Sequence, residues 1–240
     1  MVNASVCVYG GLRCRVFDAL SSGVAPDRLV VLAHGFGAPG DDLAGLGPHL
    51  LEAAGPENSR CRYVFPEAPI DLTSMGIPGG RAWWPLSMNM LAELNQTHDF
   101  SILTTLKPDG LVQASEQLLR TIREAQQDCG LTDAETIIGG FSQGAMTCTD
   151  VVLRYGLQPA ALVLFSGCLL TSDEWRKFAD DHPGCRVLQS HGRNDTVLPF
   201  EPAESLRDLL QGAGFAVEFL PFNGPHTIPS AALVRLQQFL

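Results

Sequence analysis

Short continuous apolar runs alternate along this chain with longer stretches in which apolar residues recur every three or four positions. Leu29 to Ala33, Arg62 to Phe65, Thr136 to Gly140, Ala160 to Phe165, Arg186 to Gln189 and Val217 to Leu220 read as strands. The first of these is a β-branched and aliphatic run of the kind buried on both faces of a parallel sheet. Leu12 to Ala19 reads as an opening strand, followed by a turn carrying Gly23 and Pro26. Helical patterns lie between the strands. One holds Leu43, Leu46, Leu50 and Leu51 after a cap at Asp41 or Asp42, with a stop at Gly55-Pro56; another holds Leu111, Ala114, Leu118, Ile122 and Ala125 between Pro108 and Gly130. Gln143 to Tyr155, Pro202 to Leu210 with its stop at Gly212, and Ser230 to Leu240 complete the set. Strands alternating with helices predict an α/β fold: a mostly parallel sheet with helices on both faces and function gathered beyond the carboxyl ends of the strands.

The alternation fails between Ile70 and Lys107, where turn-formers are interspersed with Met75, Trp83, Trp84, Met88 and Met90. A connection this long in a compact domain serves a purpose, so residues 66–107 are expected to form a pocket wall or lid; the plainer alternative is that the tryptophans fill the core beneath a loop. With no linker or break in composition, residues 1–240 read as a single domain.

Composition narrows the partners. Apolar residues make up 45% of the chain, and a formal net charge of -10 disfavours nucleic acid and anionic membrane surfaces. The seven cysteines are odd in number and scattered, without the spacing of a zinc site or a disulfide framework. Neither a signal peptide nor a bilayer-spanning stretch is visible, which predicts a cytoplasmic protein without integral membrane association. An exposed apolar loop can serve a homodimer as readily as a lid.

The chemistry is concentrated in Ile137-Ile138-Gly139-Gly140-Phe141-Ser142-Gln143-Gly144-Ala145, where a strand runs into Gly-x-Ser-x-Gly and then a helix. So tight a turn holds the serine hydroxyl out at the sheet edge, beside the positive end of the helix. A serine needs a base and an acid behind it. Of six histidines, His226 follows the last strand on the same edge as the elbow. His49 falls on a helix, His98 in the long loop and His182 at the opposite edge, while His34 and His191 lie near enough to act as supporting hydrogen-bond partners. Asp195, just past another strand, is the expected acid, with Asp173 as the fallback. Chain order is then Ser142, Asp195, His226, the order of hydrolases built on this elbow. The N–H of Gln143 and that of Phe36, in the glycine-rich turn after Leu29 to Ala33, are the expected oxyanion donors. Trp83, Trp84, Met75 and Met88 are expected to form an apolar substrate wall. No cofactor or metal is called for.

His34-Gly35-Phe36-Gly37, Phe65-Pro66-Glu67-Ala68-Pro69, Gly140-Phe141-Ser142-Gln143-Gly144, Phe165-Ser166-Gly167, His191-Gly192-Arg193-Asn194-Asp195 with Pro199, and Pro225-His226 occur in an order that resembles the phospholipase/carboxylesterase family of small α/β-hydrolases, relatives of the acyl-protein thioesterases. The resemblance spans nearly the whole chain. It implies a single-domain α/β-hydrolase with Ser142 as nucleophile, Asp195 as acid, His226 as base, and Phe36 and Gln143 as oxyanion donors. The expected activity is cleavage of carboxylic esters or thioesters, with a small-molecule or lipid-like ester as substrate; lysophospholipase and acyl-protein thioesterase are the nearest alternatives. The chain departs from the family in Trp83-Trp84-Pro85, where members often have tryptophan, an aromatic and aspartate, and in its longer, methionine-rich insertion. An acyltransferase using the same triad, a non-catalytic binding module on the same scaffold, and an enzyme acting on a bond other than an ester are the competing expectations.

Overall fold

The computed structural model describes residues 2–53, 60–86, 101–179 and 184–240. In chain order its elements are β1 (Asn3–Tyr9), β2 (Leu12–Asp18), β3 (Arg28–Ala33), α1 (Leu46–Ala53), β4 (Cys61–Pro66), β5 (Ile70–Asp71), β6 (Arg81–Ala82), α2 (Ser101–Thr105), α3 (Leu111–Cys129), β7 (Thr136–Phe141), α4 (Gln143–Tyr155), β8 (Ala161–Phe165), α5 (Ser172–Ala179), β9 (Arg186–Gly192), α6 (Phe200–Gly212), β10 (Ala216–Phe222) and α7 (Ser230–Gln237). Eight strands form one sheet in the order β1-β2-β4-β3-β7-β8-β9-β10. The six from β4 to β10 are parallel, and β2 runs antiparallel to both of its neighbours. This is the α/β architecture that the alternation predicts.

The aliphatic run of β3 is buried on both sides, as its composition requires. Leu29, Val31 and Ala33 join the apolar layer that holds α3 to α6, through residues such as Leu118, Val151, Trp175 and Leu206. Val30 and Leu32 face the opposite layer, with Leu50 of α1 and Leu236 of α7. Residues one apart therefore anchor opposite helical layers, as the two-residue period of a strand dictates.

Three local expectations are corrected. Strand β1 precedes the expected opening strand, paired with β2 through the two-residue turn Gly10-Gly11. Its solvent face carries Val6 and Val8, which breaks the usual polar-outside pattern. A 3-10 turn, Asp42–Gly45, leads into α1, and Asp41 makes no side-chain cap bond there. The helix expected from Pro108 begins at Leu111, because Gly110 adopts φ 91° and stops the chain from coiling earlier.

Within residues 66–107 the described part holds the small ribbon of β5 and β6, a 3-10 turn over Thr73–Met75, and α2. Met88, Met90 and His98 from this segment, together with His182, lie outside the described residues.

Candidate active site

Ser142 joins β7 to α4 with φ 53° and ψ -117°. A residue other than glycine is strained there by about 1–3 kcal/mol. The strain persists because the elbow is wedged against β3: a Cβ on Gly144 would lie 2.1 Å from the Ala33 carbonyl oxygen, and one on Gly140 2.4 Å from it. The Ser142 N–H donates to Phe165 O at 2.8 Å, and its carbonyl accepts from Met146 N–H at 3.1 Å. With the main chain spoken for, the hydroxyl remains for chemistry.

The glycine turn after β3 lies directly beside this serine, since a Cβ on Gly35 would be 3.3 Å from that of Ser142. Gly37 N–H donates to Arg81 O at 2.9 Å and Arg81 N–H returns to Ala38 O at 3.0 Å, pinning the turn to β6. His34 secures its other end. Its Nδ1 is 2.8 Å from Gly35 O and its Nε2 accepts from Ala68 N–H at 3.1 Å, which places the proton on Nδ1. Burial lowers the pKa of this imidazole, in keeping with a neutral ring that accepts at one nitrogen. Among the described residues the N–H of Phe36 has no acceptor, and the N–H of Gln143 opens α4, where no intrahelical acceptor exists. Both donors expected from the sequence are thus unoccupied beside the serine.

The loops that carry Asp195 and His226 are joined through the main chain. Arg193 N–H donates to Phe222 O at 2.8 Å and Asn194 N–H to Gly224 O at 3.1 Å. Gly192 permits the approach, because a Cβ there would lie 2.3 Å from Gly224 O. Across this seam His226 Nδ1 donates to Asp195 Oδ2 at 2.6 Å, while Asp195 Oδ1 accepts from Val197 N–H at 2.8 Å and Leu198 N–H at 2.9 Å. Burial alone would raise the pKa of Asp195; hydrogen bonds from His191, His226 and the Leu198 N–H, with the charge of His226, outweigh it and hold the carboxyl well below the usual range. With Nδ1 committed as donor, Nε2 of His226 is the nitrogen left to accept a proton. The ring stands 4.7 Å from that of Phe141, the residue before Ser142.

Ser142 and His226 line the same pocket with Phe36 and Gln143. No hydrogen bond joins the Ser142 hydroxyl to the imidazole among the described residues; such contacts are commonly long before substrate binds and tighten with it. The cavity measures about 260 Å³ and is walled by Trp84, Leu86, Leu103, Leu106, Met146 and Leu170, among others. It is smaller than most drug-sized ligand sites, which run from about 300 Å³ upward.

The expected substrate wall is only partly in place. Trp84 lines the cavity, but Trp83 lies beneath it, buried, with its indole N–H given to His34 O at 2.9 Å. A side chain bound to the turn after β3 and sealed from solvent supports that turn and offers no surface to the cavity. Met75 is 57% exposed on an outer groove shared with Pro85 and Lys107. Met88 lies outside the described residues. Asp173 is exposed in the first turn of α5, away from the cavity lining, so the fallback acid is not placed for the role.

Sequence reasoning placed Ser166 in a motif but gave it no role; its φ of 51° is another strained backbone and its Oγ donates to Thr227 O at 3.2 Å, bracing the loop that carries His226. That reasoning overlooked Met146, four positions past Ser142 and therefore on the same face of the elbow helix; that spacing was the available signal. Among the described residues no cluster of three or more His, Cys, Asp or Glu could hold a metal ion. Nor is any described helix long and apolar enough to cross a membrane.

A family profile described as phospholipase/carboxylesterase matches residues 17–240. Acyl-protein thioesterase 1 of Candida albicans is 26% identical over 227 residues, covering 92% of this chain and 94% of that protein. A probable carboxylesterase of Oryza sativa subsp. japonica is 28% identical over 199 residues, covering 80% of this chain and 74% of its own. Among solved structures, that of esterase PE8 superposes with a TM-score of 0.75 at 27% identity, covering 93% of this chain and 95% of the other.

Proposed function

The chain belongs to the phospholipase/carboxylesterase family, and from that premise we propose that it hydrolyses carboxylic esters through an acyl-enzyme on Ser142. The observation that carries this reading is the 2.6 Å contact of His226 Nδ1 with Asp195, which leaves the other ring nitrogen as base in a cavity shared with Ser142. In the first half-reaction His226 Nε2 takes the hydroxyl proton as Ser142 Oγ attacks the ester carbonyl. Charge on the carbonyl oxygen is met by the N–H groups of Phe36 and Gln143. Collapse expels the alkoxide, which receives the proton from His226, and the acyl group stays on Ser142. Water then attacks that acyl group, giving up a proton to the same imidazole, and the carboxylic acid leaves with Ser142 restored.

The apolar lining and modest volume of the cavity favour a short or medium acyl group, with Trp84 as part of its wall. Residues 66–107 supply that wall through Trp84, Leu86, Leu103 and Leu106, in keeping with a pocket-wall role for the insertion. Thioesters are the second reading, favoured by the name of the Candida albicans relative. A thiolate leaves at least as readily as an alkoxide from the same intermediate. A cytoplasmic setting agrees with seven cysteines that are all free thiols.

A panel of p-nitrophenyl esters and acyl thioesters of graded chain length tests the reading, together with a fluorophosphonate probe and peptide mass mapping. The expected adduct is on Ser142, with hydrolysis lost in Ser142→Ala. Labelling elsewhere, or unchanged turnover in that variant, would overturn it.

A further inference from the structure

Two main-chain N–H groups and His226 donate to the Asp195 carboxylate, and a second imidazole, that of His191, stands beside it without belonging to the three-residue relay. Beyond the two main-chain N–H groups on Oδ1, Oδ2 meets His226 Nδ1 at 2.6 Å and lies 3.3 Å from Nε2 of His191. His191, next to the end of β9, is fully buried. Its Nε2 is also 2.8 Å from Leu198 O. Both neighbours of that nitrogen are acceptors, so the hydrogen resides on Nε2, bonded to Leu198 O with the Asp195 carboxylate at the longer distance. Nδ1 is buried without a partner among the described residues. Leaving a polar atom unsatisfied is costly, and an aliphatic side chain of the same size would avoid that cost; what only the imidazole supplies here is the Nε2 hydrogen. Leu198 is engaged twice, its N–H on Asp195 Oδ1 and its carbonyl on His191, so acid, buried ring and one stretch of main chain brace one another.

We propose that His191 is a positioning residue for the hydrolysis, keeping the Asp195 carboxylate turned so that Oδ2 meets His226. The proposal rests on Asp195 being the acid of the reaction. His191 is absent from the cavity lining and acts through Asp195 and the main chain of Leu198 that holds it. The titratable groups around this carboxylate are His226 from the base loop, His191 from β9 and Cys168 from the loop after β8. The nearby Arg193 guanidinium lies over the Phe200 ring at 4.9 Å, and Phe200 in turn packs edge-on against His191 at 6.0 Å.

Steady-state kinetics across pH on His191→Gln, His191→Asn and His191→Met decide the matter. Glutamine can place an amide N–H where Nε2 stands; asparagine reaches only the Nδ1 position, and methionine keeps length without a donor. Loss of a charge-assisted hydrogen bond predicts a fall in kcat of about 10–100-fold for Met and Asn with KM nearly unchanged. A carboxylate short of one donor is more basic and holds an imidazolium more firmly, so the acid limb of kcat/KM should move to higher pH in those two variants and return in Gln. Wild-type kinetics in Met or Asn would overturn the proposal, and so would an equal fall in all three with the acid limb unmoved, which marks a packing role. If Met does not fold, the contrast between Asn and Gln carries the same decision. Asp195→Asn, run alongside, separates the two levels: if it retains full turnover the acid assignment itself fails, whereas its loss together with unimpaired His191 variants overturns only the role of His191.

Discussion

The side-chain amide of Gln143 donates from Nε2 to Trp84 O at 2.9 Å, and its Oε1 accepts the preceding N–H, that of Trp83, also at 2.9 Å. One fully buried side chain thus clamps the pocket wall to the first residue of the elbow helix, directly after Ser142. Gln143→Ala keeps the main-chain donor but frees the wall and leaves a buried N–H and C=O unpaired. Expected are a loss of about 1–3 kcal/mol in unfolding free energy and a drop of about tenfold in kcat/KM, measured by denaturant titration and ester kinetics.

Backbone strain at Ser142 gives a prediction in which stability and activity diverge. Ser142→Gly relieves a φ of 53° at the cost of a more flexible unfolded chain. The variant should be inactive yet more stable than the parent by about 1 kcal/mol, whereas Ser142→Ala should be inactive without the full gain. Calorimetry of the three proteins checks the order of their Tm values.

Acyl selection should follow the residues that line the cavity. Met146 is nearly buried in its wall, and Met146→Ala opens space, so the best p-nitrophenyl ester should lengthen by about two carbons, each methylene being worth about 1–3 kcal/mol. Leu103→Trp should move the optimum the other way. Met75→Ala, in the outer groove, should leave the profile unchanged.

Stability should depend on pH through His34. Its native pKa is lowered by burial, while the unfolded chain has an ordinary value of about 6.5. Above that value neither state binds the proton and stability is full. As pH falls below it the unfolded state takes up the proton first, so stability declines until the lower native value is passed. His34→Gln should flatten this limb in chemical denaturation curves collected between about pH 7 and 5, at some cost in stability at neutral pH.

The central strands, and the meeting of Ser142, Asp195 and His226 at one edge of the sheet, were legible because each depends on a short-range rule. A continuous aliphatic run such as Leu29 to Ala33 has no other home than a doubly covered strand, and Gly-x-Ser-x-Gly specifies its own turn. Asp195 and His226 stood immediately beyond recognised strands, so their edge of the sheet followed. Trp83 and Trp84 were not separable in this way. They are neighbours in an irregular segment with no period, and only the partners they meet in space, His34 for one and the cavity for the other, tell them apart. Strand β1 escaped notice because Val6 and Val8 face solvent, although Gly10-Gly11 was a fair hairpin signal.

The seam between the loops of Asp195 and His226 is stitched by peptide groups, through the N–H of Arg193 and that of Asn194. Their side chains, like that of Asn223, are exposed. The rim above the dyad can therefore drift in charge, size and polarity while the relay beneath keeps its register, with proline at 193 or 194 as the change it would not tolerate. Such a surface gives evolution, or an engineer randomising those positions, a place to retune what the enzyme meets without retuning how it reacts.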